Sequence, residues 1–166
     1  MKITELLIAE LEREAVGTRK ALERVPEGKD DWKPHEKSMP LGYLASLIAT
    51  MPSWVVSMVT QDERDIGAAG EKRPDLRTNR DLLEAFDKAV AGAKEALSSA
   101  TDEHLMTPWR LLVQGHVVAE QPRYVMIRDS AFNHMAHHRG QLTVYLRLND
   151  IPVPSLYGPT ADEKGF

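Results

Sequence analysis

Residues 131–145 read AFNHMAHHRGQLTVY, and this stretch decides both the expected fold class and the candidate site. In a helix, His134 and His138 lie four residues apart, so their side chains lie one above the other on one face. That face continues in apolar residues at helical spacing, which are Ile127, Ala131, Met135, Leu142 and Leu146. The pattern predicts a helix whose buried face includes two imidazole side chains.

Two interpretations of this histidine pair stay open from the spacing alone. A buried imidazole needs a partner, because an unpaired buried polar group costs about 1–3 kcal/mol. His134 and His138 are either core histidines bonded to neighbouring helices, or half of a transition-metal site. The second interpretation rests on the ability of imidazoles at positions i and i+4 to bind one ion.

The composition restricts the class of protein. A chain of 166 residues with 42% hydrophobic residues fits one domain, residues 1–166, with an extended tail over residues 151–166. The net charge of -4 argues against a nucleic-acid partner, and no apolar run is long enough to span a membrane. The absence of cysteine excludes disulfides, thiolate metal ligands and a cysteine nucleophile. The N-terminal stretch predicts an amphipathic helix and not a signal peptide. With no cysteine in the chain, the expected compartment is the cytoplasm.

Hydrophobic periodicity predicts four helices, over residues 4–25, 41–60, 79–99 and 122–149. Pro52 lies inside the second helix and must kink or split it. Thr78 is the expected N-cap of the third helix. Residues 61–79 form a connection that includes a short helical turn or a strand-like piece, and residues 101–120 are either two short strands around Gly115 or irregular chain. These elements predict an all-α fold, a four-helix bundle with long connections.

Three further features concern the surroundings of this bundle. The loop at residues 30–40, DDWKPHEKSMP, carries Trp32, which either folds over a core edge or belongs to a lid over a pocket. Gly140 inside the last helix is typical of close approach by another helix or chain. In the tail, Leu156 and Tyr157 indicate packing on the body of the protein.

Four strings in the chain resemble the DinB/YfiT-like superfamily. They are NHMAHHRGQL, WKPHEKSM, LGYLASLIATMPSW and IPVPSLYGPTADE, and the resemblance covers nearly the whole chain. It implies a four-helix bundle, commonly a dimer, that binds a divalent metal through three histidines. His134 and His138 match the two ligands on the fourth helix. The third ligand belongs to a pattern like Leu-Ala-x-His-Ile-Ala, and its position here is occupied by Leu47.

A leucine side chain cannot bind a metal, so the three-histidine face that the resemblance implies is incomplete. The sequence leaves three alternatives. His35 supplies the missing nitrogen, or the site holds metal weakly with more water, or the site has lost its metal and Leu47 packs against His134. The expected cofactor is therefore a divalent ion, zinc, nickel or manganese, bound weakly or not at all.

Characterised members of this superfamily resemble thiol-dependent transferases or isomerases that use bacillithiol, mycothiol or glutathione. The resemblance thus implies a metal-dependent transferase or hydrolase that acts on a small electrophile, with a low-molecular-weight thiol as a partner and a homodimer as the assembly. Asn133 or Ser130 would orient the imidazoles, while Arg139 binds an anionic substrate or pairs with an acid. The alternative is a non-catalytic dimeric bundle that binds a small apolar ligand near Met51, Trp54 and Met58.

Overall fold

The computed structural model describes residues 2–67, 74 and 76–164. The two longest helices, α1 (Ile3–Leu22) and α4 (Asn79–Ser99), each contribute side chains to both hydrophobic clusters of the core. The elements in chain order are α1 (Ile3–Leu22), α2 (Leu41–Thr50), α3 (Ser53–Thr60), β1 (Glu63–Asp65), α4 (Asn79–Ser99), α5 (Asp102–Leu105), β2 (Pro108–Val113), β3 (His116–Pro122), α6 (Arg123–Met126), a π-helical segment (Ile127–Asn133) and α7 (His134–Leu148).

A small mixed sheet lies beside the helices, so the prediction of a purely α-helical fold is incomplete. The strand order is β1-β2-β3, with β1 parallel to β2 and β3 antiparallel to it. Gln114 and Gly115 connect β2 to β3 with φ angles of 50° and 80°. Positive φ at both residues of a two-residue loop matches the right-handed twist of a hairpin. Glycine at the second position adopts the positive φ without a steric cost. Of the two alternatives for residues 101–120, the two strands around Gly115 are confirmed.

The second predicted helix is divided at Pro52, as the sequence required. The two halves, α2 and α3, meet at an angle of 44°. Proline lacks the N–H that would continue the hydrogen-bond ladder, and its ring clashes with the preceding turn. Among the described residues, no single helix is long and apolar enough to cross a membrane, and only this bent pair has the combined length and composition.

The last helical stretch is not uniform. The predicted span of residues 122–149 contains α6, the π-helical segment and α7 without a break in the chain. The five apolar residues of its predicted inner face are all buried, which are Ile127, Ala131, Met135, Leu142 and Leu146. Gly140 is exposed, and a Cβ atom at this position would meet nothing within 4 Å apart from its chain neighbours and the backbone of its own helix. The close approach predicted at Gly140 therefore does not occur within the described chain.

The buried side chains form two clusters at opposite ends of the bundle. The first cluster joins α2 and α7 to Leu82 and Phe86 at the start of α4. The second cluster joins α3, the π-helical segment and Trp109 to Leu97, near the end of α4. The helix bend at Pro52 and the change from π to α geometry at His134 both fall between the clusters. The partly buried Trp54 packs against both. This boundary is where the fold has room for a pocket.

Arg123 fixes the end of α3 to the start of α6. Its buried guanidinium donates to the carbonyl of Met58 at 2.7 Å and also to that of Gln61, and its Nε donates to the Thr107 hydroxyl at 2.9 Å. Carbonyls at a helix C-terminus have no partner within the helix, and a cationic side chain satisfies them well. Arg123 thereby holds α3 against the segment that leads to the histidine-bearing helix.

Candidate functional site

A pocket of about 880 Å³ lies between the α2–α3 bend, the sheet and the junction of the π-helical segment with α7. This volume is in the range of small-molecule sites, which is roughly 300–1,000 Å³. Most of its described wall is apolar: Leu47, Trp54, Met58, Ile66, Gly67, Pro74, Trp109 and Leu111. The polar side chains of the wall are Thr50, Ser53, Ser57, Arg64, Ser130, His134 and His138.

His134 and His138 come together in this pocket, as the sequence predicted from their spacing. Their Nε2 atoms are 2.9 Å apart, and their ring centroids are 4.5 Å apart. His138 is buried and His134 is half-buried beside Trp54, with 5.7 Å between the ring centroids of His134 and Trp54. Two imidazole nitrogens therefore meet at one point of a largely apolar wall.

A hydrogen bond to the side-chain oxygen of Gln141 orients His138. The Nδ1 atom of His138 lies 2.7 Å from Oε1 of Gln141, one turn further along α7. The sequence had indicated Asn133 or Ser130 for this role, but Asn133 donates to Asp129, while Ser130 is part of the pocket wall. The i, i+3 spacing of His138 and Gln141 was the sequence signal for this contact, because such residues are neighbours on a helix surface.

Leu47 is buried in the wall of the same pocket, where the superfamily pattern has its third histidine. The atoms at this point that can bind a metal are thus two imidazole nitrogens. Their separation lets both reach one ion, since zinc–nitrogen bonds are about 2.0–2.1 Å long. No group of three or more His, Cys, Asp or Glu side chains in the described part of the chain is arranged to hold a metal. The residues present thus offer an ion two nitrogens, and its remaining ligands would have to be water or substrate.

The structure does not bring His35 to this pair. His35 is exposed, and its Nδ1 accepts a hydrogen bond from the backbone N–H of Lys37. Its loop is held by Trp32, whose ring meets that of Tyr145 edge-on at 5.5 Å, and by the Leu41 N–H donating to the Trp32 carbonyl. Trp32 therefore covers the edge of the first core cluster, and neither it nor His35 is part of the described pocket wall. The nitrogen that His35 was to supply is absent from this arrangement.

The hydroxyl groups on the α2–α3 wall present lone pairs and not protons to the pocket. Thr50, Ser53 and Ser57 each donate their proton to a backbone carbonyl of the same helical stretch, at 2.9, 2.7 and 2.9 Å. The buried indole N–H of Trp109, another residue of the wall, has no acceptor among the described residues. The α2–α3 side of the wall thus offers hydrogen-bond acceptors to a polar ligand or water.

Arg139 is part of the structure of the bundle and not of the pocket. It pairs with Glu14 at 2.7 Å and donates to the Thr18 hydroxyl at 2.9 Å and to the Tyr157 hydroxyl. Tyr157 in turn donates to Glu14 at 2.5 Å, and enclosure of this hydroxyl together with that bond raises the pKa of Tyr157. Of the two roles considered for Arg139, pairing with an acid is the one observed. The same contacts hold the tail against α1, as predicted for its first half.

A comparison with protein-family models decides the classification of the chain. The model described as "DinB family" matches residues 1–164. The chain belongs to the DinB family. The superfamily resemblance of the sequence strings is thereby confirmed. A comparison with curated protein sequences gave no significant match.

Solved structures with the DinB-family fold are similar to this chain over most of its length. A DinB-like protein from Bacillus cereus ATCC 10987 matches with a TM-score of 0.69 and 24% identity, covering 92% of this chain and 97% of that chain. The DinB-like protein YjoA from Bacillus subtilis matches with a TM-score of 0.68 and 16% identity, covering 96% and 99%. At these identities the likeness establishes the fold. The chemistry of this DinB-family chain has to be argued from its own pocket.

Proposed function

We propose that this chain is a metal-dependent transferase or hydrolase that acts on a small electrophile in the His134–His138 pocket. The single observation that carries the proposal is the convergence of two imidazole nitrogens, 2.9 Å apart, in a ligand-sized apolar pocket. Family membership supports it, because the resemblance that the sequence strings carry implies metal binding at these two positions. With Leu47 in the third position, the expected ion is zinc, nickel or manganese held weakly.

His134 and His138 would hold the ion, and Gln141 orients His138 for this role. When bound, the ion would supply Lewis acidity that lowers the pKa of a thiol or water at the site. The apolar side chains of Leu47, Trp54 and Met58 would bind the body of the substrate and exclude bulk water from it. Ser57 and its neighbouring hydroxyls would accept hydrogen bonds from the substrate or the attacking group.

The proposed partner in the transferase case is a low-molecular-weight thiol. Its sulfur forms a bond to the electrophilic carbon while the bond to the leaving group breaks, and the leaving group departs with the electron pair. The thiol proton passes to solvent. In the hydrolase case, water takes the place of the thiol. Its oxygen forms the bond to the electrophilic carbon, and its proton passes to solvent. We also propose a homodimer in solution, on the basis of the family resemblance.

The test is metal binding by protein purified without a metal-affinity tag. Calorimetric titration with Zn²⁺, Ni²⁺ and Mn²⁺ is expected to show one ion per chain for at least one metal. His134→Ala and His138→Ala are each expected to weaken that binding at least about 10-fold, since each removes one of two nitrogen ligands. His116→Ala is the matched control, because His116 is exposed on β3 and distant in sequence from the pair.

Binding that both pocket variants leave unchanged would contradict the proposed site. Absence of binding to any of the three ions would contradict the proposed metal dependence and leave a pocket for a small apolar ligand. Conjugation of a generic aryl halide with several low-molecular-weight thiols then tests the transferase step. It is expected to proceed faster with the native protein than with His138→Ala.

A further inference from the structure

Four side chains of α7 form a continuous hydrogen-bonded line from the pocket to the surface. It runs from His134 through His138 and Gln141 to the exposed His137. The contacts are 2.9 Å between the two Nε2 atoms, 2.7 Å from His138 Nδ1 to Gln141 Oε1, and 3.1 Å from Gln141 Nε2 to His137 Nε2. Each step spans three or four residues, so one helix face holds the whole line.

The donors and acceptors of this line follow from elementary chemistry. A neutral imidazole carries one N–H, an amide oxygen only accepts, and an amide NH₂ only donates. Because Oε1 of Gln141 accepts, the proton of His138 lies on Nδ1 and the lone pair lies on Nε2. His134 then donates from its own Nε2 to that lone pair, and His137 accepts from the Gln141 amide nitrogen.

The opposite orientation of the Gln141 amide would reverse this arrangement. Its NH₂ group would donate to Nδ1 of His138, and the proton of His138 would have to lie on Nε2. The distances favour the first orientation, because 2.7 Å suits N–H···O, whereas an N–H···N contact is ordinarily longer, as is the 3.1 Å contact to His137. Only the first orientation gives His138 an Nε2 lone pair.

We propose that Gln141 is a positioning residue that fixes His138 in the Nδ1–H tautomer, with its Nε2 lone pair directed at His134 and the pocket. His137 accepts a hydrogen bond from the amide nitrogen of Gln141, and the line ends there at the surface. The tautomer is a property of the metal-free protein. Its consequence for metal affinity rests on the proposed function, because a ligating imidazole nitrogen must be unprotonated. A bound ion would replace the hydrogen bond between the two Nε2 atoms, with the proton of His134 moved to its Nδ1 or to solvent.

The experiment is nitrogen-15 NMR of histidine-labelled, metal-free protein, at a pH where all six histidines are neutral. Two-bond proton–nitrogen spectra distinguish a protonated ring nitrogen from one with a lone pair. In the native protein, His138 is expected to show a protonated Nδ1 and an unprotonated Nε2. Gln141→Leu removes the acceptor and is expected to shift His138 towards the Nε2–H form. Gln141→Glu keeps an acceptor oxygen and is expected to retain the Nδ1–H form.

The proposal is overturned if native His138 is protonated on Nε2, or if Gln141→Leu leaves the Nδ1–H form unchanged. Gln141 is half-buried on the helix surface, and matching backbone spectra of the variants would show that the fold is retained. A second measurement is the affinity for Zn²⁺, which Gln141→Leu is expected to lower 10–100-fold and Gln141→Glu to retain. If the native protein binds no metal, the proposed function fails while the NMR result still decides the role of Gln141.

Discussion

Replacing Arg139 with methionine is expected to lower the free energy of unfolding by about 3–5 kcal/mol. Arg139 is 1% exposed and Glu14 is 6% exposed, so the substitution leaves a buried carboxylate without its cation. It also removes the bonds that join α7 to Thr18 and to Tyr157 of the tail. Urea unfolding followed by far-ultraviolet circular dichroism measures the change as a lower midpoint at a similar slope.

Arg19→Met is the matched control for this prediction. Arg19 also pairs with carboxylates, those of Glu23 and Asp87, but these partners are exposed. Exposed pairs contribute about 0–1 kcal/mol, because water already solvates both charges. A double variant, Glu14→Leu with Arg139→Met, is expected to recover part of the loss, since no unpaired charge remains. An effect of Arg139→Met no larger than that of Arg19→Met would show that Glu14 finds another partner or reaches water.

The helices could be predicted where local chemistry determines them. The third predicted helix has the bounds of α4. Its start follows from one residue, because Thr78 accepts a hydrogen bond from the Asp81 N–H at 3.1 Å and so defines the first turn. The split at Pro52 likewise follows from one residue. The hairpin of β2 and β3 remained ambiguous, because its strands are mostly exposed and lack a clear alternation of apolar and polar residues.

The π-helical segment could not be predicted from the sequence. Ile127 and Ala131 have the four-residue spacing of an ordinary helix, and the segment contains neither glycine nor proline. Such segments are found mostly as single turns within α-helices and frequently near functional sites, where packing against other elements sustains them. Here the segment ends at Asn133, immediately before His134, and places Ser130 in the pocket wall.

Helical spacing predicted the histidine pair of the candidate site, and the superfamily resemblance placed Leu47 beside it. The pairing of His134 with His138 is a local consequence of their spacing, and so is the contact of His138 with Gln141, which the sequence analysis missed. The rest of the pocket comes from residues far apart in the chain, such as Ser57 and Trp109. Their distances to the histidines depend on how the two core clusters meet, which no local pattern determines.

Restoring histidine at position 47 is expected to raise the affinity for Zn²⁺ by about 100-fold. Structural zinc sites with four protein ligands release roughly 10–16 kcal/mol, which is on the order of 3 kcal/mol for each ligand. Since about 1.4 kcal/mol corresponds to a factor of ten, one added nitrogen gives roughly two orders of magnitude. Leu47 lies in the pocket wall with both histidines, and calorimetric titration of Leu47→His against the native protein measures the gain.

The same substitution makes an opposite prediction for the metal-free protein. Position 47 is 4% exposed, and an imidazole buried there without a partner costs about 1–3 kcal/mol. Metal-free Leu47→His should therefore melt at a lower temperature than the native protein, and Zn²⁺ should raise its melting temperature by more, because an ion that binds only the folded state stabilises it. Leu47→Met should show neither the lower melting temperature nor the larger rise with Zn²⁺. Adding His134→Ala to Leu47→His should abolish most of the gain in affinity. If Leu47→His gains no affinity, position 47 does not face the two imidazoles, and the site is not a metal site that lost one ligand.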